Sequence, residues 1–485
     1  MIKKIITVFS VFTLVFSYLF VSASANSAQT WWKGRDASGI VIRDDSSPVI
    51  VKNEVLTFNI DSFPEPYYRS REEMEKYSAT VTAQYTLYNP SDYDITVRLL
   101  FPFGEKPMYF YEQYNENTGE YEVFDDTEKH EILLNGNVIE KNLRHTLSFR
   151  NFNLERDLEK ISDSFIKDSF YYPEMSVKEY SFTASSIDSE KYNAANAAFD
   201  IDPGDTKTRY LFPEGSGLQT QIDGTIRLSN WVKNGDVFTV YVLGDTDVPF
   251  PEWTFYENGG VEDREKIDGI MTLKSVNEMT LYDLVFADYD KNSGISETDW
   301  YNAVIELMNE TKNFLGSRMS LNVKNDLLRW YEYEIEIPAK SEVINTVNAP
   351  IYPEIDSNYS PAVYTYTYLL SPAKIWADFK HIDIIVNTPH FMVDGELLDY
   401  SSDIFTFTEV DGGYKVSFDR LPEEELVFTL SNTEHPVKPQ KHITDYLPIE
   451  LIISFSVITA TLIIIILIII FIRKRIIKTK KEQNR

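Results

Sequence analysis

The segment ATVTAQYTLYNPSDYDITVRLLFPFG, residues 79–104, carries the clearest structural pattern in the chain. Apolar side chains stand at every second position over Ala79–Leu87 and again over Ile95–Phe101. Such alternation is typical of a strand that buries one of its faces. The polar residues Asn89–Asp92 between the two stretches have turn chemistry. The segment therefore predicts a half-buried antiparallel hairpin.

The same layout recurs later in the chain. Apolar and acidic residues alternate over Tyr331–Ile337, Pro338–Ser341 form a polar break, and a second strand is expected over Glu342–Val347. We interpret the acidic row of the first strand, Glu332, Glu334 and Glu336, as its solvent-exposed face. The recurrence suggests a second copy of one β-domain type.

Other elements follow from local signals. Asn135-Gly136 suits the type I′ turn of a further hairpin. Apolar residues spaced by three and four positions predict a helix over 153–170, and helices are also expected over Met279–Ala287 and Glu297–Leu315. Strands are predicted through most of the intervening sequence.

The C-terminal part contains Leu451–Ile472, an uncharged run rich in Ile and Leu that is followed by Arg473-Lys474-Arg475. At about 1.5 Å per residue this run is roughly 33 Å long, enough to cross a bilayer once. Positive flanks remain on the cytoplasmic side. We therefore expect a single-pass protein in the cell membrane, with its N-terminus outside and its C-terminus in the cytoplasm.

The N-terminal sequence supports this topology. Two lysines precede the apolar run Ile5–Val21, and Ala23-Ser24-Ala25 has the pattern of a signal-peptide cleavage site. A second transmembrane helix is the alternative. The connection Asn432–Tyr446 reaches at most about 50 Å when fully extended, so the external part should act near the membrane.

Composition excludes several classes of site. The chain has no cysteine, which excludes cysteine nucleophiles and cysteine-ligated metals and fits an exported protein of a Gram-positive bacterium. It has 75 acidic residues against 46 basic ones, a balance that argues against nucleic acid or anionic lipid as a partner. The acidic surface is either a simple aid to solubility or a sign of a cation or basic partner.

One segment resembles a calcium loop. In the twelve residues Asp288–Asp299, oxygen ligands could come from Asp288, Asp290, Asn292 and Asp299, between two predicted helices. The glycine stands at position 7 rather than 6, and Asp replaces the usual Glu at position 12. Weak calcium binding is therefore one interpretation, and a polar link in which Asp299 completes a helix cap is the other. No other cofactor is expected.

Evidence for catalysis or glycan binding is limited. The chain has 31 Tyr, 30 Phe and 7 Trp, which in a β-rich protein usually belong to strands and cores. Candidates for an exposed glycan platform are Trp31, Trp32, Trp253 and Trp376. The six histidines are scattered and no nucleophile or phosphate-binding motif is present, so an enzyme would depend on paired carboxylates.

Two stretches, Tyr85–Pro90 continuing to Leu100–Gly104 and Leu370–Trp376, resemble membrane-anchored surface proteins of Gram-positive bacteria, a group without an assigned activity. The Asn-Pro to Phe-Pro pattern is also similar to β-sandwich domains of other exported bacterial proteins. The resemblance implies a β-sandwich ectodomain and brings no site residues with it.

These observations predict a mainly β chain with two β-sandwich-like regions, a small helical insertion and one C-terminal transmembrane helix. The expected function is non-catalytic binding or scaffolding outside the membrane, with another envelope protein or a wall polymer as partner; a carboxylate-dependent hydrolase of envelope glycans is the alternative. The predicted segments are a signal peptide (1–25), an N-terminal β-sandwich-like region (26–150), a helix (151–170), a β-rich region (171–276), a helix-loop-helix insertion (277–316), a C-terminal β-sandwich-like region (317–431), a linker (432–448), a transmembrane helix (449–472) and a basic tail (473–485).

Overall fold

The structure is a computed structural model, and β-strands predominate in it, which confirms the prediction of a mainly β chain. The residues that it describes are 37–38, 40–42, 47–65, 77–103, 113–115, 120–122, 130–148, 153–202, 205, 207–212, 216–247, 249–259, 265–310, 314–315, 323, 327–393 and 405–438. The predicted signal peptide, membrane span and basic tail lie outside these ranges. Within them, no helix is long and apolar enough to cross a bilayer.

The strands of the described residues are, in chain order, β1 Ala37–Ser38, β2 Val41–Ile42, β3 Ile50–Asn59, β4 Thr80–Tyr88, β5 Ile95–Phe103, β6 Gln113–Asn115, β7 Glu120–Glu122, β8 Glu131–Leu134, β9 Asn137–Val138, β10 Asn142–Leu147, β11 Ser176–Ser185, β12 Ala195–Ile201, β13 Thr208–Leu211, β14 Gly217–Thr220, β15 Ile226–Val232, β16 Val237–Gly244, β17 Thr254–Tyr256, β18 Lys266–Ile267, β19 Ile270–Thr280, β20 Phe314–Leu315, β21 Leu327–Ile337, β22 Glu342–Pro350, β23 Glu354–Asp356, β24 Val363–Leu369, β25 Asp378–Phe379, β26 Ile382–Asn387, β27 Phe391–Met392, β28 Thr408–Val410, β29 Gly413–Phe418 and β30 Leu426–Ser431. The helices there are α1 Leu154–Glu159, α2 Leu281–Val285, α3 Glu297–Glu310 and a 3₁₀ turn over Ser371–Ile375.

A large β unit combines strands from both ends of the described chain. Its longest sheet runs β28-β29-β26-β3-β4-β22-β8-β9, and two smaller sheets run β1-β24-β30-β27 and β10-β21-β5-β2. Side chains of all three sheets share one apolar core. Within that core, Phe58 of the long sheet meets Tyr368 and Phe428 of a smaller sheet in edge-to-face contacts, with ring centroids 5.9 Å and 5.0 Å apart.

The predicted hairpin over residues 79–101 is wrong. Strands β4 and β5 do not pair with each other: β4 pairs with β3 and β22, while β5 pairs with β21 and β2. The chain therefore crosses from one sheet to another at residues 89–94. Side-chain hydrogen bonds stabilise this corner, because the Asn89 amide donates to the carbonyl oxygens of Tyr93 (2.8 Å) and Ile337 (2.9 Å).

The recurrent segment 327–350 behaves in the same way, since β21 and β22 also lie in different sheets. The two crossings pair with each other, β4 with β22 and β5 with β21. The N-terminal region (26–150) and the C-terminal region (317–431), which the sequence assigned to separate sandwich-like regions, consequently share their sheets. By contrast, the Asn135-Gly136 turn does join the paired strands β8 and β9, with φ of 50° and 80° at its two residues.

A second β unit is inserted between β10 and β21, which are themselves paired. We call residues 176–280 the inserted unit. It contains the sheet orders β19-β11-β16-β13-β20 and β14-β15-β12-β17-β18, of which only β20 comes from later in the chain. Aromatic and aliphatic side chains of both sheets form its core, and α2 and α3 pack around Trp300 and Tyr301 beside it.

The predicted helices are too long. The helix predicted over 153–170 begins correctly with Asn153 capping Arg156, but α1 ends at Glu159. Side chains bind the backbone beyond that point, since Ser162 accepts from the Ser164 amide and Asp168 from the Phe170 amide, and such bonds compete with helix formation. The helix predicted over 279–287 extends only over α2, after a capping box at Thr280 and Asp283. The helix predicted to Leu315 is replaced at 314–315 by β20.

Candidate functional site: an open sheet edge

The predicted calcium ligands do not converge in the structure. Asp299 is 2% exposed and its carboxylate accepts hydrogen bonds from the Arg144 guanidinium and from the backbone amide of His145 at 2.9 Å. Asp288, Asp290 and Asn292 are exposed on the loop, and Asp290 accepts from the Asn292 amide at 2.8 Å. Among the described residues, no group of three or more acidic or histidine side chains is arranged to hold a metal. Calcium binding by this loop stays a prediction.

Arg144 is the centre of a buried charge cluster that joins β10, α3 and β21. Its guanidinium donates to Asp299 on α3 (3.1 Å), to Glu332 on β21 (2.8 Å), and to Asp163 (3.1 Å). Glu332 is only 7% exposed, so the expectation that all three glutamates of its row face solvent is wrong for this one. Glu334 and Glu336 are exposed as expected.

The electrostatics of the cluster favour a structural role. Burial lowers the pKa of Arg144, but hydrogen bonds to Asp299 and Glu332 outweigh it and raise that pKa overall. Burial and the nearby charges of Arg329 and Arg144 lower the pKa of His145 to about 4, so this imidazole is neutral near pH 7. The two buried carboxylates are therefore held by a permanent cation, and neither is placed as an exposed acid or base.

The predicted aromatic platforms are core residues where the structure describes them. Trp376 is 5% exposed and its indole N–H donates to the Ile40 carbonyl at 3.3 Å. Trp253 packs in an edge-to-face contact with Phe199 at a centroid distance of 4.8 Å. Trp31 and Trp32 lie outside the described residues.

The clearest exposed feature of the described chain is strand β19, at one end of a sheet of the inserted unit. It pairs with β11 along its whole length, and no strand lies on its other side among the described residues. Every residue from 272 to 278 is exposed. Three of its apolar side chains face solvent: Ile270 (53%), Leu273 (49%) and Val276 (42%).

A β-bulge sets the direction of these side chains. The register with β11 shifts between Leu273 and Ser275, leaving Lys274 as the extra residue. A bulge changes which side chains share a face, so Leu273 and Val276 lie opposite Phe182 and Tyr180 on one side of the sheet. Without the bulge, residues three apart would face opposite sides.

An aromatic cluster continues the apolar surface away from β19. Phe250 lies 5.1 Å from Tyr180 and 4.8 Å from Phe182 between ring centroids. Trp253 lies 5.4 Å from Phe182, and its indole N–H is buried without a hydrogen-bond partner. The free backbone edge, together with Leu273 and Val276 beside this partly buried core cluster, forms the surface that we call the β19 edge.

Comparison with known proteins adds little to this picture. No protein-family model and no curated protein matches the chain. Among solved structures, one chain from Legionella pneumophila subsp. pneumophila strain Philadelphia 1, described provisionally as a nutrient binding protein, is 10% identical with a TM-score of 0.33. The match covers 81% of this chain and 70% of that one. A likeness of this degree supports no argument about fold or function.

Proposed function

We propose that this chain is a membrane-anchored, extracellular, non-catalytic binding protein whose external part is built of the two β units described above. In this proposal the β19 edge holds an extended segment of another envelope protein. The observation that carries the proposal is the edge itself, a long strand that is paired on one side only among the described residues and has three exposed apolar side chains.

Strand addition is the binding mode that such an edge supports. An added strand satisfies the free backbone groups of the edge and places alternate side chains on its two faces. On one face, apolar residues of the partner would cover Leu273 and Val276 and reach the aromatic cluster. On the other face they would meet Thr272, Ser275 and Asn277, which favours polar residues. The expected partner segment therefore alternates between apolar and polar residues.

The bulge and Lys274 make pairing between two copies of this edge unfavourable. Bulges and lysine residues on edge strands prevent sheets from pairing with one another unspecifically. Both lie at the centre of β19, whereas the register from Ser275 to Thr280 is regular. A partner that is matched to this half-strand is thus favoured over a second copy that pairs along the whole edge.

The hydrolase alternative lacks a comparable observation in the described residues. Its requirement is a pair of accessible carboxyl groups. The buried carboxylates Glu332 and Asp299 are both bound by Arg144.

Photo-crosslinking in living cells tests the proposal. A photoreactive residue at position 276 should capture one dominant envelope protein, and the same residue at position 237 should not. Val237 is a matched control, because it is an exposed apolar strand residue (68%) of the same unit. Equal capture from both positions, or none from 276, would contradict the proposal, and capture of this chain itself would identify a homodimer instead.

Substitution gives a second readout. Leu273→Lys combined with Val276→Lys should reduce co-purification of the captured protein with this chain at least tenfold, since charged side chains on an edge oppose strand addition. Val237→Lys should leave co-purification unchanged. Both variants should keep the melting temperature of the parent, because all three positions are exposed.

A further inference from the structure

Trp231 is an exposed aromatic residue on the second sheet of the inserted unit. It is 51% exposed, on the same face of β15 as Arg227 and Ser229, while Leu228 and Val232 are buried on the opposite face. Strand β15 is paired on both sides, with β12 and β14. It has no free backbone edge, so a ligand can reach this surface only through side chains.

Asn196 lies directly across from Trp231 on β12. It is 3% exposed, and its Oδ1 atom is enclosed without a hydrogen-bond partner. A buried acceptor without a donor is costly to the fold. Its presence beside an exposed indole therefore points to a donor that comes from outside the chain.

The backbone of Gly259 borders both side chains. A Cβ at this position would lie 3.6 Å from Trp231 Cζ2 and 4.0 Å from Asn196 Nδ2. The Gly259 backbone therefore lies beside the Asn196 amide and one edge of the indole, and about half of the Trp231 side chain (51%) remains exposed.

A planar ion pair lies on the same face of the sheet. Arg227 donates from Nε and Nη2 to the two carboxylate oxygens of Asp200, each at 2.6 Å, and its guanidinium lies 4.9 Å from the centroid of the Tyr256 ring. Four residues of extended strand separate Arg227 from Trp231, or about 13 Å. The pair therefore lies too far from the indole for one sugar ring to contact both.

We infer that this surface, formed by Trp231, Asn196 and the Asp200–Arg227 pair, binds a saccharide chain. The C–H face of a sugar ring stacks on the indole, whose π face is electronegative. One hydroxyl donates to Asn196 Oδ1 after displacing the Gly259 backbone, and hydroxyls of a further ring donate to the free lone pairs of Asp200. The site is separate from the β19 edge, and a chain with both can link a wall polymer to an envelope protein.

Co-sedimentation with purified peptidoglycan sacculi tests the inference, with soluble N-acetylglucosamine oligomers as competitor. The full chain should bind sacculi and be released by the oligomers. Trp231→Ala should weaken binding at least tenfold, Asp200→Asn should weaken it severalfold, and Trp231→Phe should retain part of it. Val237→Ala is the matched control, an exposed apolar residue of the same unit, and should bind as the parent does.

Two outcomes would overturn the inference: no binding of the parent chain to either probe, or parental affinity in both Trp231→Ala and Asp200→Asn. If Trp231→Ala weakens binding and also lowers the melting temperature, Asp200→Asn decides whether the site or the fold was lost, because the Asp200 side chain is at the surface. The Leu273→Lys and Val276→Lys variant should keep full saccharide binding. Failure of this site is therefore distinguishable from failure of the β19 edge.

Discussion

At the scale of single residues, Glu54 shows how one backbone irregularity changes the chemistry of a core. The register between β3 and β4 shifts between Val51 and Asn53. This bulge moves Val51 and Glu54 to the same, buried face of β3. Burial raises the pKa of Glu54 to about 8, against the opposing effect of hydrogen bonds from Tyr85 and Tyr368. A carboxyl group is thus held in its protonated form inside the large unit.

Glu54→Gln should remove a pH dependence of stability. The unfolded chain releases this proton near pH 4.5 and the folded chain near pH 8, so between these values the folded state binds more protons. The free energy of unfolding contributed by Glu54 therefore falls as pH rises from 4.5 to 8, by on the order of 5 kcal/mol at most. Glutamine stays neutral, so the variant should gain stability relative to the parent across this window, as measured by urea unfolding at several pH values.

Glu336→Gln provides the control, because Glu336 is an exposed carboxylate on a strand of the same unit. The stability difference between this variant and the parent should be small at every pH. The difference in the free energy of unfolding between Glu54→Gln and the parent should change with pH. A difference that is constant with pH would mean that Glu54 is not protonated in the folded chain.

Arg144→Met should destabilise the protein by about 3–5 kcal/mol, since it leaves the buried carboxylate of Asp299 without its cation and leaves Glu332 with Arg98 alone, at 3.7 Å. Arg98→Met should cost less than about 1 kcal/mol, because the Arg98 side chain is 37% exposed, its hydrogen-bonded partners Asp163 and Glu334 are at the surface, and Glu332 keeps its shorter bond to Arg144. Urea unfolding at neutral pH measures both. Equal losses would mean that the Arg144 cluster is solvated in the protein.

At the scale of elements, alternation located the strands but not their partners. The residues of β4, β5, β21 and β22 were predicted from their period-2 pattern, yet this pattern reports only that one face is buried. It is the same for a hairpin within one sheet and for a crossing between two sheets. Whether a hairpin or a crossing forms depends on long-range hydrogen bonds, such as that from Asn89 to Ile337, which no local pattern contains.

The candidate sites illustrate the same limit. In β19 the apolar residues Ile270, Leu273, Val276 and Met279 are three apart, a spacing typical of a helix, because the bulge at Lys274 interrupts the alternation. Trp231 could have been found from sequence, since it falls on the polar face of its strand with Arg227 and Ser229. The unpartnered Asn196 beside it could not, because its position depends on the pairing of two distant strands.

The calcium prediction also belongs to this scale. Asp299 has its carboxylate bound by Arg144 and its backbone amide bound by Ser296 Oγ at 3.0 Å, as in the helix-cap interpretation. We therefore expect the melting temperature to be the same in millimolar calcium and in EDTA. A higher value in calcium that disappears in Asp290→Ala would instead establish the site, through Asp288, Asp290 and Asn292.

At the scale of the whole molecule, the chain is one β unit interrupted by another. Strands β10 and β21 are paired up to Leu147 and Leu327, which lie directly opposite each other. The inserted unit and the three helices connect these two residues. A sheet interrupted at paired strand ends can be closed by a two-residue turn, for which Asn-Gly is the favoured sequence.

Replacing residues 148–326 by Asn-Gly should therefore give a shorter chain that still folds. Its main core draws on residues before 148 and after 326 alone, so circular dichroism should show a cooperative β-sheet transition. Its melting temperature should be lower, because Trp330 and Leu100 lose the cover of Leu154 and Ile161. The shortened chain should also fail to co-purify the envelope partner and fail to bind sacculi. An unfolded product would show that the large unit depends on the insertion for its own stability, and a folded product that retains either binding activity would locate that activity outside the inserted unit.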